Sequence, residues 1–403
     1  MERERRIYFD HAATTPLDRR VLDAMLPVYE GVWGNPSSIY AEGREARRVL
    51  DAARHDVAHV LNARPNDVIF TSGGSESDNL AIRGAAFGAM RRGRHIITTA
   101  IEHHAVLHTV EQLEREGFQA TYLPVDRVGF VSVDDLVRAL RPDTTVVSIM
   151  FANNEVGTIE PISHLVQAVK AFNDHIVFHT DAVQAAGALG LDVEALGVDM
   201  LSLAAHKFYG PKGVGALYLR PRTPFAGQLL GGSQERNRRA GTEDVAGAVG
   251  LAKALQLAHA ERESSSARLS EMRDRLIAEL PPRVPGLRIT GPLPSTPPVE
   301  TGGVDPVRLP NSFSCCLEGV EGESVLIQLD LNGISASSGS ACTTGSLEPS
   351  HVLTAMGIPP DIARSSLRIT LGHANTMADI EALLEKLPVA VQKLRALAPL
   401  SPA

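Results

Sequence analysis

Short apolar runs, each closed by a polar or turn residue, recur between about residues 45 and 260 and constrain the fold more than any other feature of the chain. They stand at 67–71 (DVIFT), 95–99 (HIITT), 145–150 (TVVSIM) and 176–180 (IVFHT). Runs this short and rich in β-branched residues suit strands buried on both faces. The segments between them, such as 107–116 and 162–173, read as helices. Strand and helix therefore alternate, which predicts an α/β fold with a mostly parallel sheet wrapped by helices.

Beyond that repeat the pattern changes. Residues 251–280 predict one long helix, with Leu255, Leu269, Met272, Leu276 and Leu280 placed mostly three, four or seven apart. The stretch 281–310 holds nine of the 25 prolines, so the helix is expected to stop at 280 and give way to an irregular connection. A strand is expected at NSFSCCL (311–317), then a helix at 322–331 and a small-residue loop, ISASSGSACTTGS. A strand at 366–371 and a helix at 376–396 close the chain. With 403 residues there is room for two domains. The expected division is a large α/β domain over 15–260 and a smaller α+β domain made from 1–14 and 261–403.

Composition bounds the function. The net charge of −8 argues against a nucleic-acid surface, although Arg236, Arg238 and Arg239 form a local basic patch. Only three cysteines occur, and Cys315 and Cys316 are adjacent, so no disulfide framework is expected and a reducing compartment fits. The opening MERERRIYFD lacks the apolar core of a signal peptide, and no run of about 18 apolar residues predicts a membrane span. The protein is expected in the cytoplasm.

Chemistry gathers at the strand ends. Lys207, in MLSLAAHKFYGPKGVG, sits between an apolar strand and a glycine-rich turn. A partly desolvated amine there loses proton affinity and can form a Schiff base with an aldehyde cofactor. Most lysines are solvated surface charges, and Lys212 competes for the role. Asp181, in HTDAVQ, lies 26 residues earlier, about the spacing of two adjacent βα units. A buried carboxylate there can pair with a pyridinium nitrogen; the plain alternative is a helix cap. SGGSES (72–77) follows one strand and precedes a helix, as a phosphate cradle does, but it matches neither GxGxxG nor the Gly-Lys-Ser/Thr ending of a nucleotide loop. A phosphate on another kind of cofactor fits it, and so does an ordinary turn. His103 follows the next strand and could stack on a planar cofactor, with His104 as its competitor. Asn154 follows another. Ligands of open α/β sheets bind beyond the carboxyl ends of the strands, where all these groups fall. Cys342 stands apart from Cys315 and Cys316, in the polar small-residue segment SSGSACTTGS, where a thiol is accessible and reactive. A free thiol of no consequence is the alternative.

These blocks are joined by YFDHAATTP (8–16), GNPSS (34–38), FTSGGSESDNLAI (70–82), EHHAV (102–106), ANNEVGTIEPI (152–162), HKFYGPKGVGALYLR (206–220), GGSQERNRRAGTEDV (231–245) and SSLRITLG (365–372). Over nearly its whole length the chain thereby resembles the cysteine desulfurases of the NifS and IscS group, class-V aminotransferase relatives of pyridoxal-phosphate fold type I. The resemblance implies a seven-stranded sheet in the large domain and pyridoxal 5′-phosphate as cofactor. Lys207 would carry it, Asp181 would pair with its ring nitrogen, Gln184 would contact its ring hydroxyl, and His103 would stack on the ring beside Asn154. Gly74, Ser75 and His206 would hold the phosphate, and Thr242 would reach the phosphate of a neighbouring subunit in a homodimer. Arg368 and Asn35 would bind the carboxylate of L-cysteine. Lys207 would move the Cα proton, with His103 as a second acid or base. Cys342 would take the sulfur as a persulfide and pass it to an acceptor protein such as an iron–sulfur scaffold. No resident metal is implied; a transient iron–sulfur ligand at Cys342 is the one metal role left open.

Three positions depart from the family pattern. Ala204 stands where a phosphate-binding serine is usual, so either one phosphate hydrogen bond is missing and cofactor affinity is lower, or Ser202 compensates. His11 replaces a frequent asparagine, and the stretch 284–310 is long. An aminotransferase or selenocysteine lyase on the same fold is the nearest alternative, which Cys342 argues against. A non-catalytic scaffold is the other, against which stand Lys207, Asp181 and Cys342 together.

Overall fold

The computed structural model describes residues 6–296, 307–339 and 348–397. The apolar runs form strands Val68–Thr71, His95–Thr99, Thr144–Ser148 and Val177–Asp181, buried at every position. Gln119–Leu123, Met200–Ala204 and Gly215–Leu219 complete one seven-stranded sheet. Across it the order is Val68–Thr71, Gly215–Leu219, Met200–Ala204, Val177–Asp181, Thr144–Ser148, His95–Thr99, Gln119–Leu123. Gly215–Leu219 runs antiparallel to both its neighbours, and the remaining pairings are parallel.

Both faces of this sheet are covered, because successive residues of a strand point to opposite sides. Ile96, Val146, Val177 and Met200 pack in one core with Leu80 and Ile82 of the helix Gly74–Ala89 and Val106 and Val110 of the helix His104–Arg115. Their neighbours Ile97, Val147, Phe178 and Leu201 pack in another with Leu50 and Val57 of Ala41–Val60, Leu165 of Ile162–Phe172 and Leu251 of Val245–Arg283.

A separate core gathers Phe9, Leu276, Phe313, Cys315, Leu367, Ile369 and Leu383. It lies around a three-stranded antiparallel sheet in the order Ser366–Thr370, Ser312–Leu317, Leu287–Ile289, with the helices Gly322–Leu331 and Met377–Leu397. The N-terminal arm joins this part: Ile7–Tyr8 pairs in parallel with Ile334–Ser335.

The long helix overruns its expected end. It runs 39 residues, Val245–Arg283, and includes Pro281 and Pro282. Proline is already fixed at a helical φ and here removes donors only from the last turn. Burial of Leu280 and Val284, and the bond from Val284 N to Leu280 O, hold that turn closed. The stretch expected to be irregular also contains the strand Leu287–Ile289, while 297–306 lies outside the described residues. No described helix is long and apolar enough to cross a membrane.

Candidate active site

Thr71, Thr99, Ser148, Asp181 and Ala204 end five strands that run in one direction, so the segments after them meet at one edge of the sheet. A cavity of about 360 Å³ opens there. Nine of the sequence-predicted residues line it: Gly74, Ser75, His103, Asn154, Asp181, Gln184, His206, Lys207 and Arg368.

Lys207 closes the 3-10 turn Ala205–Lys207 that directly follows the strand Met200–Ala204. Its amine donates to the carbonyls of Ala12 at 2.5 Å and Ala13 at 2.9 Å. Lys212, the alternative, is exposed on the following turn. Asp181 is the last residue of its strand and buried. Its Oδ1 accepts from Val183 N at 2.9 Å in a turn that leads into no helix, so it is not a helix cap, and it lines the cavity. Burial pushes its carboxyl up, against the pull of that N–H and of the Lys207 charge.

His103 caps the helix His104–Arg115, with Nδ1 accepting from Ala105 N at 3.1 Å. That bond leaves the proton of the neutral ring on Nε2. Burial, then the Lys207 charge and the neighbouring histidines, hold its pKa down at about 4, so the ring is neutral at pH 7. His104 also lines the cavity, but its ring packs between those of His108 and His351, with centroids 4.9 and 4.7 Å away. His206 Nδ1 lies 3.1 Å from Thr14 Oγ1, and burial likewise lowers its pKa to about 4. Gln184 Nε2 donates to Ala12 O at 3.0 Å.

Gly74 opens the helix Gly74–Ala89, and no side chain caps that end. Its first N–H groups are thus available to an anion. A Cβ on Gly74 would come 2.9 Å from Val183 Cγ2 and 3.4 Å from Ala204 Cβ, so glycine keeps this wall clear. Ser202 does not compensate for Ala204: its hydroxyl lies 2.9 Å from His179 Nε2, inside the sheet and away from the lining.

Arg368 enters from the strand Ser366–Thr370 of the second core. Nη1 donates to Asn154 O at 2.9 Å and Nη2 to Asp10 Oδ1 at 2.8 Å. Asn35 and Thr242 are exposed and do not line this cavity. Cys342 lies outside the described residues; Gly339 and Glu348, the described residues on either side of that segment, both line the cavity.

Several contributors escaped the sequence reading. Asp78 and Glu155 line the cavity as buried carboxyls whose pKa values burial pushes up. Glu155 Oε2 accepts from Ser350 Oγ at 2.5 Å. The Ala12 and Ala13 carbonyls act through the backbone and have no residue signature. The ANNEVG and YFDHAATTP blocks contained Glu155 and Asp10, yet nothing local marked them for a task. Together the cavity offers an amine, a buried carboxyl, an uncapped helix start and a guanidinium. That set suits a phosphate-bearing carbonyl compound beside a carboxylate ligand.

Comparison with known proteins agrees with this chemistry. Residues 7–383 match the aminotransferase class-V family. The cysteine desulfurase IscS of Dictyoglomus turgidum is 49% identical over 396 residues, covering 98% of this chain and 97% of its own length. A NifS-like protein of solved structure superposes with a TM-score of 0.88 at 38% identity, over 96% of this chain and all of its own. SspA in complex with cysteine superposes with a TM-score of 0.76 at 36% identity, over 91% of this chain and 98% of its own. The chain belongs to the aminotransferase class-V family, in its cysteine desulfurase group of NifS- and IscS-like proteins.

Proposed function

We propose that the protein uses pyridoxal 5′-phosphate to remove sulfur from L-cysteine, giving L-alanine and a persulfide on Cys342. The observation that carries this is the Lys207 amine, the buried Asp181 carboxyl and the Arg368 guanidinium around one cavity of about 360 Å³, within the range of small-ligand sites. The uncapped start of Gly74–Ala89, cleared by Gly74, fits the phosphate. Gly74, Ser75 and His206 would hold that phosphate, Asp181 the ring nitrogen, Gln184 the ring hydroxyl, and His103 and Asn154 the ring itself. When bound, the cofactor supplies an electron sink for charge that develops at Cα.

Arg368 holds the substrate carboxylate through its fork of N–H donors. Lys207 takes the Cα proton and returns it, its amine aimed by the Ala12 and Ala13 carbonyls. His103, neutral at pH 7, donates or accepts a proton near the departing sulfur. The Cys342 thiolate attacks the substrate sulfur. The C–S bond breaks, an S–S bond forms, and a proton takes the place of sulfur on Cβ. The persulfide then passes to an acceptor protein such as an iron–sulfur scaffold.

Asn35 would bind the substrate carboxylate with Arg368, and Thr242 would act in a homodimer, at the phosphate held by a second copy. The exposure of Trp33 (75%), Ile39 (88%) and Leu230 (87%), close in sequence to those residues, supports a covered face there. The unpaired, buried Cys315 and Cys316 fit the reducing cytoplasm.

The test is an absorbance spectrum before and after L-cysteine, with alanine assayed in the same tube. Lys207→Ala should lose the band near about 400 nm expected of a protonated pyridoxal Schiff base. Cys342→Ala should keep that band and release no sulfide. Desulfuration by Cys342→Ala at the normal rate refutes the mechanism.

A further inference from the structure

Asp10 meets Arg368 across 358 residues of chain. The N-terminal arm lies against the strand Ser366–Thr370 through a bridge between Asp10 and Thr370. There Asp10 Oδ1 accepts from Arg368 Nη2 at 2.8 Å, while Nη1 is taken by Asn154 O at 2.9 Å. The guanidinium is buried, and its Nε has no hydrogen-bond partner among the described residues. The same arm continues directly into Ala12 and Ala13, whose carbonyls hold the Lys207 amine. Three residues within one run of four, Asp10, Ala12 and Ala13, thus fix both the cation proposed to bind the substrate and the amine proposed to deprotonate it.

We propose that Asp10 is a positioning residue for the amino-acid carboxylate: it sets the plane of Arg368 and, by its own charge, holds down the affinity of Arg368 for a second carboxylate. The inference rests on the assignment of Arg368 as the carboxylate anchor. A guanidinium offers five N–H donors in one rigid plane. Two protein acceptors on two of its nitrogens fix that plane and leave the second hydrogens of the Nη groups for a ligand, while Nε is buried within the protein. The charge of Asp10 acts in the opposite sense. A carboxylate arriving at Arg368 meets a cation already paired, and Asp10 repels it. Substrate therefore binds in one orientation but loosely, as turnover requires. Geometry and charge pull apart under different substitutions.

The experiment titrates the full-length apo-protein calorimetrically with two probes. One is phosphopyridoxamine; the other is phosphopyridoxyl-L-alanine, the stable reduced adduct that carries a carboxylate. The ratio of their dissociation constants isolates the carboxylate, since a loosened cavity weakens both probes alike. Asp10→Asn keeps the acceptor and removes the charge, so preference for the carboxylate probe should rise about 10-fold, the scale of one charge-assisted hydrogen bond. Asp10→Glu keeps the charge and displaces it by one methylene, so the preference should fall. A ratio in Asp10→Asn at or below that of the unaltered protein overturns the proposal. Arg368→Gln is the control for the assignment beneath it. If the preference survives that change, the Arg368 anchor itself is wrong. If it collapses there while Asp10→Asn leaves it unmoved, the role of Asp10 alone is refuted.

Discussion

His179 ties the strand that carries Asp181 to its neighbours, and its titration gives the sharpest test of how dry the sheet interior is. It stands two residues before Asp181, fully buried. Nδ1 lies 2.9 Å from Ser148 Oγ and Nε2 2.9 Å from Ser202 Oγ, so the ring ties three adjacent strands together. Burial alone lowers its pKa from 6.5 to about 3. Asp78 Oδ1, 3.7 Å away, offers no counter-charge, because burial and then the Asp181 charge push its carboxyl well up. At this site the folded state therefore binds fewer protons than the unfolded one below pH 6.5, and the contribution of His179 to stability falls as pH drops from there towards 3. At pH 4.5, about two pH units below the unfolded value, His179 should cost on the order of 3 kcal/mol, and at pH 7.5 nothing. His179→Gln keeps a donor and an acceptor but cannot titrate. Urea melts of both proteins at the two pH values give the difference, in which other titrating groups cancel. Glu102, pushed by burial to about 8, is among these. The variant should gain on the order of 3 kcal/mol relative to the unaltered protein on going to pH 4.5. An unchanged difference between the two pH values would mean that His179 is solvated or paired, and the reasoning fails.

Gly74→Ala should weaken pyridoxal-phosphate binding roughly 10-fold in a spectrophotometric titration, the loss of about one phosphate hydrogen bond. The new Cβ would press on Val183 at 2.9 Å and shift the helix start; undiminished affinity would remove that helix start from the phosphate site. Glu235→Gln should lower stability to urea by about 3–5 kcal/mol, since it strands the buried Arg54 guanidinium now paired at 2.6 and 2.8 Å. Arg54→Met combined with Glu235→Gln should be the more stable of the two, because no lone charge remains; the reverse order would show that packing, not charge, dominates there. The pair also braces a run of left-handed residues, Glu235, Arg236 and Asn237, on the way to Thr242, so the single variant should bind cofactor less well too.

What the sequence revealed and what it hid divide along a physical line. Strand ends were legible because a buried parallel strand needs an apolar run and its ligand-facing end needs a polar break. That rule pointed to Asp181, Lys207, His103 and Asn154 but left Lys212 and His104 open beside them; in the structure Lys207 separates from Lys212 by standing one turn after a buried strand and lining the cavity. The long helix was misjudged at its end because proline was weighed by composition, whereas position decides: in a last turn sealed by Leu280 and Val284, two prolines cost little. Asn35 and Thr242 carried roles by resemblance alone, and both are exposed away from the cavity. The remaining group was invisible in principle. The Ala12 and Ala13 carbonyls, Asp10 and Glu155 act through contacts spanning from 194 to 358 residues. Backbone carbonyls have no residue identity, and a single acid inside a polar block has no periodicity to betray it. Those hidden contacts share one property: each joins segments far apart in the chain, the arm to the lysine turn, the arm to the second core, or the segment after Thr144–Ser148 to Ser350. The sheet edge supplies the reacting groups, and the arm and the second core hold them in register. A substitution in either part should therefore alter substrate affinity before it alters the fold of the sheet.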